Sequence, residues 1–84
     1  MQPTKVSVGT TPVELVAGNG LRKSLTIINR GSADIYLGNG PTLTIATGIV
    51  LRPQENMSAD RDPDAYWGVA AAGTQQVDVM EIAT

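Results

Sequence analysis

The turn-forming residues of this chain recur at short intervals, and this spacing constrains the fold more than any other feature of the sequence. Stretches rich in Val, Ile and Leu alternate with clusters of Gly, Asn, Pro, Asp and Ser about every 8–12 residues. No long stretch shows the apolar period of an amphipathic helix. The pattern predicts an all-β domain of about seven or eight short strands.

Polar and apolar residues alternate within most of these stretches, so each strand is expected to bury one face. Residues 24–29 and 33–37 are expected to pair as a hairpin through the turn at Asn29–Ser32. Because such connections dominate, the sequence predicts a compact antiparallel β-sandwich or a flattened, jelly-roll-like barrel. The candidate strand segments are 5–8, 12–15, 24–29, 33–37, 42–45, 48–51, 55–59, 65–71 and 76–82.

The alternation also predicts which side chains face inward. Within the 65–71 segment, Trp67, Val69 and Ala71 share one face, and Tyr66 points the other way. Since the chain has no Phe, Trp67 is expected to fill the core. The other side chains expected inside are Leu25, Ile27, Ile35, Leu37 and Met57.

The 84 residues correspond to one domain spanning 1–84. A chain this short has a thin core. Neither Cys nor His is present, so a disulfide is excluded and a zinc site of the usual kind is not expected. Association with copies of itself or with a larger surface is the remaining source of stability.

The net charge and hydropathy of the sequence limit the classes of partner that the protein is expected to bind. The net charge is −2, the pI is about 4.7 and the cations are scattered, which argues against nucleic-acid binding and predicts a solvated charged surface. No apolar run approaches the ~20 residues that cross a bilayer. The start, Met1–Val6, lacks the apolar core of a signal peptide, so we expect a soluble chain made in the cytoplasm.

No set of residues in the sequence assembles into a catalytic or metal site. The serines have no His to activate them. Asp60, Asp62 and Asp64 alternate like the start of a calcium loop, but Ala65 and Ala71 stand where that loop needs Gly and an acidic residue. We therefore expect a non-enzyme with no metal and no cofactor.

Some apolar residues are out of phase with the predicted core, Val16 among them. Either bulges or partial coverage within the domain account for them, or they form an intersubunit face. Met1–Lys5 is read either as an extended arm that reaches a neighbour or as a frayed terminus. The candidate interface residues are Met1, Gln2, Pro3, Thr4, Lys5, Ile28, Tyr36, Met80 and Ile82.

Three phrases carry a family resemblance across residues 20–82: 22–38 (RKSLTIINRGSADIYLG), 48–55 (GIVLRPQE), and 66–74 leading to 77–81 (YWGVAAAGT, VDVME). They resemble the small β-rich structural proteins of tailed bacteriophages, especially capsid decoration (cement) and head-fibre-type proteins. The second phrase has the form G-I-x-L-x-P-G-E in that family. Gln54 stands where the family has Gly, so a different turn is expected there.

The resemblance implies a virion protein, made in the host cytoplasm, on the outer capsid surface. Its implied partners are copies of itself, as a homotrimer, and the major capsid protein, which it would clamp. The alternative is a head-fibre or tail adhesin that binds a host glycan or receptor through Tyr66, Trp67 and the loop Asp60–Asp64. Because sugar sites usually use exposed aromatics, which are few here, the clamp is favoured.

Overall fold

The structure is a computed structural model that describes residues 4–83, and those residues form eight strands and no helix. The strands are β1 (Thr4–Val8), β2 (Val13–Val16), β3 (Arg22–Asn29), β4 (Ile35–Gly38), β5 (Ile49–Leu51), β6 (Asn56–Asp60), β7 (Tyr66–Ala70) and β8 (Gln75–Ala83).

The strands form two antiparallel four-stranded sheets, and the predicted all-β sandwich is confirmed. The first sheet has the order β1-β8-β3-β6 and the second has the order β2-β7-β4-β5. Strands pair from the chain ends inward: β1 with β8, β2 with β7, β3 with β6 and β4 with β5. This nested pairing, divided between two sheets, is the topology of a jelly roll.

The predicted hairpin between residues 24–29 and 33–37 is wrong. β3 pairs with β6 and β8 in the first sheet, whereas β4 pairs with β5 and β7 in the second. The connection 30–34 therefore crosses from one sheet to the other. Alternation predicted correctly that both strands bury one face, but it does not distinguish pairing edge to edge from packing face to face.

The core lies between the two sheets and consists of aliphatic side chains from both. The bulge between Glu14 and Val16 turns Val16 toward this core, so the bulge interpretation is confirmed for that residue. Val6, Val13, Met57 and Tyr66 pack against the core at its margins. The buried cluster comprises Val8, Leu15, Leu25, Ile27, Ile35, Leu37, Leu51, Ala70, Val77 and Val79.

The phase of β7 is the reverse of the prediction. Tyr66 packs against the core, Trp67 is only half-buried and Ala71 is exposed. Gly68 faces the core instead, and a Cβ placed there would lie 3.1 Å from Leu15 Cδ1. Because Gly68 has no side chain, it leaves room for Leu15 of the neighbouring strand β2. Trp67 was expected in the core because of its size, and size did not determine which residue faces inward.

The predicted strand at 42–45 is also wrong, because these residues belong to the loop 39–48, called here the β4–β5 loop. Thr44 and Thr47 close a turn on themselves: the amides of Thr47 and Gly48 donate to the Thr44 carbonyl at 3.2 and 2.9 Å. Backbone groups that are paired locally in this way do not join a ladder.

Gln54 adopts a left-handed backbone conformation, which glycine favours. Its φ is 67°, and the Glu55 amide donates to the Arg52 carbonyl at 3.0 Å, with Pro53 between them. Pro at the second position and a positive φ at the third define a type II turn.

Candidate functional site

The deepest polar group at one end of the sandwich is the guanidinium of Arg22, whose side chain is 0% exposed. Nε donates to Glu81 Oε2 at 2.7 Å, and Nη1 donates to the carbonyls of Asp62 and Asp64 at 2.8 and 2.7 Å. Nη2 donates to the Ala17 carbonyl at 2.6 Å. One side chain thus joins the β2–β3 loop, the β6–β7 loop and β8. We call this region, centred on Arg22, the arginine end.

Asp62 and Tyr66 add a second link at the arginine end. Asp62 accepts a short hydrogen bond from the Tyr66 hydroxyl and another from the Asp64 amide at 3.0 Å. These donors, the hydroxyl first, lower the pKa of Asp62. The same bond stabilises the protonated phenol and raises the pKa of Tyr66 to about 12. The Tyr66 hydroxyl is therefore engaged within the domain.

The opposite end of β3 is fixed by two neutral amides, and we call it the amide end. Asn29 is fully buried; its Nδ2 donates to the carbonyls of Ala33 and Leu51 at 2.9 and 2.8 Å, and its Oδ1 accepts the Gly31 amide at 2.9 Å.

Gln75 completes the amide end. Its Oε1 accepts the amides of Ser32 and Ala33 at 2.8 and 3.2 Å, while Nε2 donates to the Ala72 carbonyl at 2.8 Å. Gly31 is needed here, because a Cβ at that position would collide with Oε1 of Gln75.

Sequence reasoning missed all three of these buried polar residues. The cations were expected on a solvated surface, and for Arg22 that is wrong. A register shift between Arg22 and Ser24 breaks the alternation and hides the inward direction of the arginine. Asn29 and Gln75 are in phase with the inward residues of their strands, but the sequence does not show their distant partners, the Leu51 carbonyl and the amides of Ser32 and Ala33.

The outward side of the first sheet, called here the open face, holds most of the predicted interface residues that the structure describes. Its register places Met80 beside Thr26, Ile82 beside Ser24 and Ile28 beside Asp78. Met80 and Ile82 are 38% and 44% exposed, and Ile28 is half-buried. Lys5 Nζ also lies on this face and donates to Asp78 Oδ1 at 3.0 Å.

Tyr36 lies on the opposite broad side of the molecule, the outward side of the second sheet, called here the covered face. Its register neighbours there are Val50 and Val69. Leu43 of the β4–β5 loop packs over this face and is 8% exposed; a Cβ at Gly38 would lie 2.7 Å from its Cδ1. The loop thereby acts as a partial third layer.

The predicted interface set therefore does not form one surface. Ile28, Met80 and Ile82 come together on the open face, whereas Tyr36 is separated from them by the whole sandwich. Thr4 lies opposite Val79, in the core-facing phase of β1. Met1, Gln2 and Pro3 lie outside the described residues.

Two open clefts of about 370 and 360 Å³ lie beside Leu43 of the β4–β5 loop. An apolar cleft of about 180 Å³ opens beside β5 and is lined by Leu37, Gly38, Asn39, Ile49, Met57 and Tyr66. Within residues 4–83 no carboxylate cluster has the arrangement of a metal site. A helix able to span a membrane is likewise not found in that part of the chain.

Known proteins resemble this chain in fold only. No family model and no curated protein sequence matches it. The periplasmic inhibitor of g-type lysozyme PliG from Aeromonas hydrophila is 11% identical, with a TM-score of 0.53, over 96% of this chain and 85% of that chain. A protein of the disulfide-linked pili of Bacillus endospore appendages is 14% identical, with a TM-score of 0.49, over 99% and 91%. The first likeness shows a shared β-sandwich fold, and no functional argument rests on either.

Proposed function

We propose that this protein is a structural, non-catalytic component of a tailed-bacteriophage virion that decorates the outside of the capsid as a homo-oligomer and stabilises the shell. The observation that carries the proposal is the use of the buried polar side chains. Arg22, Asn29 and Gln75 form their side-chain hydrogen bonds within their own domain, mainly with its loops. These bonds hold the loops of the sandwich in place, which supports a role as a rigid docking body.

Rigidity favours this role for a physical reason. A preorganised surface loses little conformational entropy when it binds, so more of the contact energy appears as affinity. Both ends of the sandwich are held by buried hydrogen bonds, and the broad faces between them are supported by a continuous aliphatic core. Several linked copies would then bind a repetitive shell with high avidity.

The three sequence phrases resemble those of phage decoration proteins, and this supports the same conclusion. By that resemblance the partner would be the major capsid protein. The adhesin alternative has less support. Tyr66, one of its expected contacts, packs against the core and donates its hydroxyl to Asp62. The carbonyls of Asp62 and Asp64 accept from Arg22, so the acidic loop is held in place by the domain. Trp67 is the half-exposed aromatic that remains for such a role.

The decisive experiment is co-sedimentation of the purified protein with capsids of its parent phage prepared without it, run beside a glycan array. We expect saturable capsid binding, a higher temperature of shell disruption when the protein is bound, and no glycan signal. Glycan binding in the absence of capsid binding would establish the adhesin in its place.

Trp67→Ala provides a matched variant for that experiment. In a decoration protein the half-exposed Trp67 has no assigned contact with the capsid, so the variant is expected to bind capsids as the unaltered protein does. If the unaltered protein bound glycans but not capsids, and Trp67→Ala lost the glycan signal, the proposal would be contradicted.

A further inference from the structure

The centre of the open face is apolar at the point where its two middle strands meet. Along β8 the outward residues change from polar Gln76 and Asp78 to apolar Met80 and Ile82. Ile28 of β3 lies diagonally beside Met80 in the ladder, at a distance that apolar side chains bridge. A solvated antiparallel sheet normally carries polar residues at such positions.

The apolar residues on the two broad sides of the molecule differ in how far they are covered. On the covered face, Tyr36 and Val69 lie beneath or beside the β4–β5 loop, and Val69 is 3% exposed. On the open face, Met80 and Ile82 keep 38% and 44% of their surface in solvent in the part of the chain that the structure describes. The domain covers one apolar broad side with its own loop and not the other.

The electrostatics of the open face favour a like surface as its partner. Around Met80 the neighbouring outward residues are Thr26, Ser24 and Ser58, which carry no charge. Lys5 and Asp78 neutralise each other at 3.0 Å, and Asp60, a further charged residue of this face, lies across Ser24 on the edge strand β6. Two copies that bring these centres together meet no like-charge repulsion at the centre of the contact, and the exposed Asp60, on the edge strand, lies at its rim.

The size of the face also suits association of identical chains. The molecule measures 36 × 24 × 15 Å, so its broad side is 36 by 24 Å. A stable interface takes about 800 Å² from each partner, which is comparable with this broad side. The apolar centre with a polar surround matches the usual anatomy of an interface.

We propose that copies of this chain associate with one another through the open face, with Ile28, Met80 and Ile82 at the centre of the contact. The inference rests on the proposed function, because it assigns the self-association surface of the decoration oligomer. It leaves Tyr36, on the covered face, outside this contact.

The test is sedimentation equilibrium of the full chain over a concentration series, with three single variants. Met80→Lys and Ile82→Lys each place a charge in the proposed contact, and both side chains are exposed enough for the domain to fold. Ile49→Lys is the matched control, since Ile49 is 75% exposed but lies at the edge strand β5 beside the apolar cleft. Circular dichroism verifies the strand content of each variant.

We expect the unaltered protein to self-associate, and Met80→Lys and Ile82→Lys each to weaken the dissociation constant at least tenfold, while Ile49→Lys leaves it within about twofold, as expected for a residue outside the contact. A protein that stays monomeric up to about 1 mM would overturn the inference, since that corresponds to only marginal association. Equal weakening by Ile49→Lys, or weakening by that variant alone, would also overturn it.

The capsid assay separates this inference from the proposed function. A monomeric protein that still decorates capsids refutes the self-association surface and leaves the decoration role standing. A protein that assembles through the open face but does not bind capsids refutes the decoration role and leaves the surface intact. Decoration whose avidity falls in Ile82→Lys and not in Ile49→Lys supports both.

Discussion

The two ends of the sandwich hold their loops by different chemistry. At the arginine end one charged side chain serves three backbone carbonyls and one carboxylate. At the amide end two neutral side chains, Asn29 and Gln75, divide the loop amides and carbonyls between them. Both ends leave no buried side-chain nitrogen or oxygen unpaired among the described residues.

The two ends are vulnerable to substitution in different ways. A buried charge is tolerated only while all its partners are in place, because desolvating it is costly. Neutral amides cost less to bury, and each amide supports only part of its end. The arginine end therefore depends mainly on one side chain, with the Asp62–Tyr66 bond as a second link, whereas the amide end is shared between two. The following substitutions probe this contrast.

The largest effect is expected from Arg22→Met. Methionine keeps much of the apolar volume but removes every donor, so three carbonyls and the partly buried Glu81 lose their partner. We expect a loss of about 3–5 kcal/mol in the free energy of unfolding, measured by urea denaturation. Arg22→Lys retains the charge and should lose less. A loss below about 1 kcal/mol for Arg22→Met would show that the arginine end does not depend on this side chain.

Asn29→Ala tests the amide end and should lower the free energy of unfolding by about 2–3 kcal/mol. The buried Leu51 carbonyl loses its hydrogen-bond donor, and the Ala33 carbonyl and the Gly31 amide lose their partner as well. The matched control is Asn39→Ala. Asn39 is exposed and makes one hydrogen bond, to the Ala65 carbonyl at 3.2 Å. Its loss should stay within about 0.5 kcal/mol. Equal losses for the two variants would remove the special role of Asn29.

Alkaline pH should weaken the arginine end selectively. The pKa of Tyr66 rises from 10.0 to about 12 on folding, so the folded protein favours the protonated phenol. That contribution is fully present below pH 10.0 and is lost as the pH rises through about 12. Denaturation midpoints across this window should fall for the unaltered protein. Tyr66→Phe, which lacks the ionisable hydroxyl, should show a shallower fall; an unchanged slope would contradict the assignment.

The smallest effects should come from one turn at each end. Gln54 at the amide end and Arg61 at the arginine end have φ values of 67° and 56°. This left-handed conformation costs an L-residue roughly 1–2 kcal/mol. Gln54→Gly and Arg61→Gly should each raise stability by about 0.5–1 kcal/mol, since glycine loses more freedom on folding and offsets part of the gain. A destabilisation in thermal melts would indicate that the side chain makes compensating contacts.

Much of the local structure followed from the sequence. The segments at 5–8, 12–15, 24–29, 48–51, 55–59 and 76–82 correspond to observed strands, and the inward positions of Leu25, Ile27, Ile35 and Leu37 are confirmed. These predictions succeeded because the period of two is a property of neighbouring residues. Leu43 was also apolar enough to suggest a strand, but the Thr44–Thr47 turn determined its conformation.

The candidate site was predicted only in part. Ile28, Met80 and Ile82 were selected because they were out of phase, and the structure places them on one face. Tyr36 had the same signal and lies on the other broad side, because the phase of a residue does not say which sheet its strand joins. Arg22 is charged, so the sequence placed it on the solvated surface. The register shift between Arg22 and Ser24 instead turns its side chain inward.

Local sequence patterns were enough to establish that this protein is all-β, with short strands and a buried aliphatic stripe along most of them. That information is local, because turn residues and alternation act over a few positions. The tertiary structure alone decided that β3 pairs with β6 and β8, that Gly68 rather than Trp67 faces the core, and that Arg22 is buried. Those outcomes depend on partners far away in the chain, which must be brought together before their packing and hydrogen bonds have any effect.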